Sequence, residues 1–519
     1  MELKYKDYFD KVYGCYSGKT IGGTLGAPFE CYRGVYNIDF FVQDTSKPVP
    51  NDDLDLQLVW LRAAELEGGR IDSHILAEYW ATYISASLCE YGIGKNNAKM
   101  GICPPLSGHL HNSNRNSNGA WIRAEIWACL CPGNPALAAK YAYYDSSVDH
   151  SGEGVYAAVF CAALQSAAFA ENDIFKLIEI ALSYIPEDCG VTKAVQCVIN
   201  SFKKGADFKQ ARKTLLQTTP GGFGMLSGYW NGTGWTMLPP SDKYPPQAPE
   251  ADIPRGEHGW DAPSNIGIIM IGLLYGGGDF GKSVCTAVNC GEDTDCTAAS
   301  LGALLGILSG KKGLPKKWLA ACSGEISTVC LRTDAKLNLP KTVRELAVRA
   351  ARQAPLMLGY LNCDVTAADG FTVTTQENLY NPAADEPGLG SFLDEQPRAS
   401  RHHFLLHDIV VRYDDKFVAV EEGVEKKLEL TFRNNLYDPQ YLVVRFLGLP
   451  EGWRITGGAE KAVSLENPHG GKGGKAFAYL TVSIIPGELN RAKYSIAMEV
   501  SVNGRLTKSY VPITFINGV

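Results

Sequence analysis

The chain has 519 residues, 45% of them hydrophobic and 20% charged, which is too long for one ordinary core and too apolar for disorder. Its 49 basic and 56 acidic residues leave a net charge of −7, with no basic excess to hold a nucleic-acid backbone or an anionic membrane, so neither partner is expected. The 15 cysteines all lie between Cys15 and Cys363, form no Cys-x-x-Cys pair and are odd in number, which excludes a disulfide framework and predicts reduced thiols in a cytoplasmic protein.

Met1 to Asp7 is too charged for a signal peptide, and the most apolar run, Ile266 to Tyr275, is too short to span a bilayer. Tyr5, Tyr8, Phe9, Val12 and Tyr16 then recur at helical spacing. Gly14, Gly18, Gly22 and Gly26 mark one face of the same helix, where packing against another backbone is the expected role. Leu54, Leu58 and Leu61 predict a second helix. Segments 74–90, 121–145, 152–170, 173–184, 190–204 and 340–352 predict more, as do Ala298, Leu301, Leu304, Leu305 and Leu308. Residues 1–355 therefore read as an all-α domain of more than ten helices around one or two cores. Within it, Thr219 to Ser264 lacks periodicity and carries Trp230, Trp235 and Trp260. That segment is a functional loop or lid, or its tryptophans anchor it.

Residues 356–402 are polar and carry Pro382, Pro387 and Pro397, as a linker or surface strap does. From 403 to 519 the apolar period becomes two. Runs at 408–413, 427–432, 441–446, 476–485, 494–502 and 509–516, separated by turn signals such as Asn503-Gly504, predict an immunoglobulin-like β-sandwich of about seven strands. The fold class expected is thus multidomain, all-α and then β-sandwich.

Three acidic constellations stand out: Glu30, the run Asn51-Asp52-Asp53-Leu54-Asp55, and Gly291-Glu292-Asp293-Thr294-Asp295-Cys296-Thr297. Acids at a helix start are usually caps. Each run holds more acids than a cap needs, and a hard divalent cation is the usual remedy for such crowding. If the two helix starts meet, four carboxylates suit two cations roughly 3.5–4 Å apart. Oxygen-rich, histidine-poor ligation points to Mg²⁺, with Mn²⁺ or Ca²⁺ as alternatives, and Cys296 is a poor partner for any of them.

The pattern Gly22-Gly23-Thr24-Leu25-Gly26-Ala27-Pro28-Phe29-Glu30, an Asp52-Asp53 pair ahead of a helix and Gly291-Glu292-Asp293-Thr294-Asp295 ahead of another resembles the ADP-ribosylglycohydrolase family. Ser117-Asn118-Gly119-Ala120-Trp121-Ile122-Arg123 and the helix region with Asp149-His150 resemble its intervening motifs, in order over residues 8–312. The resemblance implies an all-α fold with a dinuclear magnesium centre held by Asp52, Asp53, Asp293 and Asp295. Asn51 and Cys296 stand where that family usually has ligand threonines. Glu30 matches a glutamate of gating or acid/base chemistry, with Asp53 and Asp295 as the other catalytic candidates. Asn118 and His150 match positions lining the ribose and its leaving group, Trp230, Trp235 and Trp260 are further substrate-binding candidates, and Arg123 is expected to be structural. The function implied is hydrolysis of an N- or O-glycosidic bond at an anomeric carbon, on a small-molecule or protein-linked ADP-ribosyl group or related glycoside. Alternatives are a glycosidase of the same fold acting on a carbohydrate, and a non-catalytic ADP-ribose or glycan binder. Leu449-Pro450-Glu451-Gly452-Trp453 resembles fibronectin-like or NEW-type sandwiches of bacterial carbohydrate-active enzymes, which implies a spacer or a surface for homo-oligomers.

Overall fold

The computed structural model describes residues 1–30, 32–219, 260–334, 336–366, 370–382, 398–436, 438–467 and 477–518. Trp230 and Trp235 lie outside the described residues, as does most of the aromatic segment containing them. The helices that build the first domain's centre are α1 (Tyr5–Gly26), α2 (Asp52–Glu67), α3 (Ser73–Tyr83), α4 (Cys89–Lys99), α5 (Pro135–Ser146), α6 (Glu153–Ala167), α7 (Ala262–Gly276), α8 (Thr294–Gly313) and α9 (Val343–Leu358). Further helices at Ile174–Leu182, Gly190–Lys203, Phe208–Thr218 and Phe280–Val288 flank them.

Two segments that read as single helices are broken. In 74–90 the chain leaves the helix after Tyr83, where Ser85 and Ala86 donate to the Cys330 carbonyl and Ile84 and Ser85 receive the Lys95 ammonium. In 121–145, Cys131-Pro132-Gly133-Asn134-Pro135 intervenes. Gly133 there takes a φ of 63°, and Asn134 caps α5 by accepting from Leu137 N at 3.2 Å.

The helix pair that fixes the site is α1 against α8, running antiparallel. A Cβ placed on Gly18 would lie 2.0 Å from the Gly302 carbonyl oxygen, and one on Gly22 would lie 2.0 Å from that of Ala298. Gly14 meets Gly306 and Gly26 meets Thr294 in the same way. The four-residue glycine stripe therefore lets two backbones touch along four turns. This contact brings the end of α1, and Glu30 just beyond it, to the start of α8.

The region between the domains carries more structure than a linker. Helix α9 continues to Leu358, and Thr372–Thr374 pairs antiparallel with both Glu2–Lys4 and Cys363–Asp364. The β-region is two five-stranded sheets. One runs Glu460–Leu465, Gln440–Leu447, Lys493–Val502, Lys508–Asn517, Ala419–Val420; the other runs Arg454–Ile455, Phe477–Ile485, Lys426–Asn434, His407–Tyr413, Ala399–His403. They share one core, with Ile409, Val411, Leu430 and Phe432 of the second sheet meeting Val444, Met498, Val500, Ile513 and Phe515 of the first. The strand count exceeds the seven read from sequence for two reasons. Two-residue strands carry no period, and Ala-Ser-Arg-His-His at 399–403 is buried at four consecutive positions, so its pattern does not alternate. The sandwich therefore begins before residue 403.

The domains meet where Ile102, Leu106 and Leu110 enter the sandwich's apolar core. Across the same seam Arg401 N donates to Pro104 O at 3.0 Å and Thr514 Oγ1 to Gly101 O at 2.9 Å. Among the described residues no helix is long and apolar enough to cross a membrane, and every cysteine is free.

Candidate metal centre

Asn51 caps α2, its Oδ1 accepting from Asp53 N at 2.7 Å, so the acids that follow are not spent on capping. Asp55 is used elsewhere, its Oδ2 accepting from Val329 N at 2.6 Å and Cys330 N at 2.7 Å. At the start of α8, Asp293 occupies the cap position and makes no side-chain cap bond. Its Oδ2 instead accepts from Asn118 Nδ2 at 2.7 Å. The capping explanation therefore covers Asn51 and leaves Asp52, Asp53, Asp293 and Asp295 unexplained.

The glycine-paired helices bring those acids together. Asp53, Asp295 and Cys296 present ligand atoms within 4.8 Å of one another, and so do Glu30, Asp293 and Asp295. Asp295 belongs to both groups. Asp53, Asp293, Asp295 and Cys296 are buried, and Glu30 is half-buried. Asp53 Oδ2, Asp293 Oδ1 and Asp295 Oδ1 are buried oxygens that receive no hydrogen bond among the described residues. Burial, and then the like charges of neighbouring carboxylates, push Asp53 and Asp293 well above the ordinary carboxylate range. Asp52 and Asp295 move the same way, also chiefly through burial. Orphaned, crowded, oxygen-rich donors of this kind fit divalent cations. Cys296 Sγ points at Asp53 Oδ1, 3.3 Å away, and burial raises its thiol far above the usual range.

Several supporting residues escaped the sequence reading. Lys19, in α1, places its ammonium 3.7 Å from Asp53 Oδ2, 3.2 Å from Glu125 Oε2 and 2.7 Å from Ile122 O. Burial alone would lower its pKa, but the Glu125 and Asp53 carboxylates outweigh that and raise it, so the ammonium stays charged. Glu125 is fixed in turn by Gln57 Nε2 at 2.9 Å and Ser300 Oγ at 2.7 Å. Tyr91 OH donates to Asp52 Oδ2 at 3.2 Å. A sequence signal existed for Lys19: it continues the buried stripe of Tyr8, Val12 and Tyr16, where a cation has no reason to be unless paired. Tyr91 and Glu125 come from helices distant in sequence and left no such mark.

Asn118 sits in the site, with Nδ2 on Asp293 and Oδ1 accepting from Trp121 Nε1 at 2.8 Å. His150 is wholly buried, Nδ1 at 2.9 Å from Asp149 Oδ1 and Nε2 at 3.1 Å from Ser117 Oγ, with Glu90 Oε1 at 3.8 Å. It therefore braces the Ser117–Asn118 turn. Arg123 is a structural clamp: Nε donates to Asp145 Oδ1 at 2.8 Å, Nη2 to Asp149 Oδ1 at 2.7 Å, and the guanidinium lies over the Trp80 ring. Trp260 is half-buried, and the bridge between Ser117 and Asp261 brings its backbone to the Asn118 turn.

Residues 4–354 match the family described as ADP-ribosylglycohydrolase. No curated protein matches the chain. Among solved structures, an ADP-ribosylglycohydrolase-related protein complex is similar at 18% identity and a TM-score of 0.43, covering 68% of this chain and 99% of that one. A FixG-related protein from Vibrio parahaemolyticus is similar at 17% identity and a TM-score of 0.17, covering 22% of this chain and 97% of that one.

Proposed function

The chain belongs to the ADP-ribosylglycohydrolase family, whose membership carries a glycohydrolase-type function, and from that premise we propose that it hydrolyses the glycosidic bond at the anomeric carbon of an ADP-ribosyl group using two Mg²⁺. The observation that carries this reading is the set of three buried carboxylate oxygens without donors, Asp53 Oδ2, Asp293 Oδ1 and Asp295 Oδ1, in two clusters that share Asp295.

In this reading Asp53, Asp295 and Cys296 hold one cation, with Asp52 and Asn51 beside them, and Glu30, Asp293 and Asp295 hold the other. Bound cations would grip neighbouring sugar hydroxyls and acidify a bound water. The chain's own groups do the rest. Asn118 keeps Asp293 aimed inward, Tyr91 does so for Asp52, and the Lys19 charge steadies Asp53. Glu30, the least buried acid of the clusters, is placed to move the proton between water and leaving group.

The test is turnover of ADP-ribosylated peptides and of nitrophenyl glycosides by the full chain, each with Mg²⁺ and with chelator. Release of ADP-ribose only with metal is the expected result. Turnover confined to the nitrophenyl glycosides moves the substrate to an ordinary carbohydrate, the reading that the appended sandwich favours. Binding of ADP-ribose without turnover under Mg²⁺, Mn²⁺ or Ca²⁺ overturns the catalytic assignment.

A further inference from the structure

A second group of metal-type ligands lies apart from the acidic centre, at the seam between the domains. His74 is the second residue of α3, Cys103 follows α4, and His402 is on the sandwich's first strand. Their ligand atoms lie within 4.8 Å of one another. Backbone contacts build the arrangement. Arg401 N donates to Pro104 O at 3.0 Å and Pro105 bridges Ser400, which draws the Cys103 segment against the His402 strand. The His74 and His402 rings lie 4.3 Å apart between centroids, tilted by 31°.

The chemistry of the three groups is that of a transition-metal site. Each ring makes its hydrogen bond through Nε2, His74 to the Arg401 carbonyl and His402 to Ser400 Oγ at 3.0 Å, leaving Nδ1 for another ligand. A metal-bound histidine normally has its other nitrogen anchored in this way. Burial lowers the pKa of both imidazoles; the Asp72 carboxylate opposes this at His74, and the neighbouring His74 ring adds to it at His402. The Cys103 thiol has a 3.8 Å contact to Gly101 O, and burial pushes its pKa up to about 12. Two imidazoles and a thiol suit a borderline-soft ion and hold the hard cations of the acidic centre poorly. Ligand atoms on tetrahedral zinc lie roughly 3.3–3.8 Å apart, so closure asks for no more than about 1.5 Å of adjustment.

We propose that His74, Cys103 and His402 form a zinc site that ties the helical domain to the sandwich. Cys103 gives up its proton on binding, and the ion joins two parts of the helical domain to one strand of the sandwich. The site uses none of the acidic centre's ligands, so it stands or falls separately from the glycohydrolase reading.

Cobalt titration of the full chain carrying Cys296→Ser tests it, since that substitution removes the one thiol in the acidic centre. A near-ultraviolet thiolate-to-cobalt band is expected and should vanish when Cys103→Ser is added. His402→Gln should weaken Co²⁺ and Zn²⁺ binding by about 100-fold. Zinc should raise the thermal midpoint of the Cys296→Ser chain more than that of the same chain carrying His402→Gln as well. Absence of the band in the Cys296→Ser chain, or its persistence without Cys103, overturns the proposal. Folding of each variant is read from far-ultraviolet circular dichroism, and a Cys103→Ala variant replaces Cys103→Ser if the latter fails to fold. Asp295→Ala should abolish turnover and leave the cobalt band intact.

Discussion

The helical domain buries charge at its centre, whereas the sandwich buries mostly carbon there. Around α1, α2 and α8 lie Lys19, Asp53, Glu125, Asp293 and Asp295, and next to them Arg123 with Asp145, Asp149 and His150. The sandwich core is made of Leu, Val, Ile, Phe and Met, and ion pairs such as Arg445–Glu460, with N and O 2.6 Å apart, lie on its surface. Burying an ion costs several kcal/mol unless it is paired or bound. Most ions in the helical domain are paired: Arg123 answers two carboxylates, and Lys19 answers Glu125. Where carboxylates crowd one another, at Asp53, Asp293 and Asp295, buried oxygens are left without a hydrogen-bond donor among the described residues. The difference between the domains is therefore a difference of task. The sandwich spends burial on stability, and the helical domain gives some of it up to keep a charged site in place.

The contrast can be broken at its strongest point first. Asp295→Ala should lower metal-dependent turnover by roughly 1000-fold or more, because Asp295 belongs to both clusters. The same change should not destabilise the metal-free protein, since it relieves crowding among like charges, and chelator-treated thermal melts will show whether it does. In the sandwich the order reverses. Phe432→Ala, at a fully buried position, should cost about 3–5 kcal/mol in denaturant unfolding while kcat and KM stay at the parent values. Gly18→Val acts on both at once. Its new side chain meets the Gly302 backbone, so about 3 kcal/mol of stability should go, and turnover should fall with it because Glu30 and Asp295 lose their alignment.

The smallest effect expected lies at the boundary. His109 stacks on Phe417 with centroids 5.7 Å apart, and burial lowers its pKa to about 4 from 6.5. The unfolded chain takes up this proton first as pH falls, so stability is full above pH 6.5 and declines toward pH 4. Partial exposure reduces the effect to ~1 kcal/mol. His109→Gln should flatten the pH dependence of the thermal midpoint across that window, and an unchanged slope would refute the assignment.

The helices of the first domain and the change of period at the sandwich could be read from the sequence because each is a local pattern. The glycine stripe on α1 was legible as a packing face, though its partner was not: the glycines and alanine of α8 that it meets lie almost 300 residues away. The ligand acids were found through crowding and family resemblance. The partners of His150 were not legible, because its surroundings come from Ser117, Asp149 and Glu90, which only the fold assembles. The helix break after Tyr83 had the same origin, being set by a distant carbonyl, whereas the break at Cys131 comes from local turn residues inside an otherwise apolar run.

The interlocked glycines of α1 and α8 also set what kind of motion the centre can make. Two backbones meshed at four-residue intervals cannot creep past each other by fractions of an ångström. The next matching position is one tooth away, about 6 Å along the axis. The acids at the two helix ends are thus held in fixed register, like marks on a ratchet. Variation in what the site accepts falls to side chains that can change without moving the rack, and Asn51 and Cys296 are two such positions.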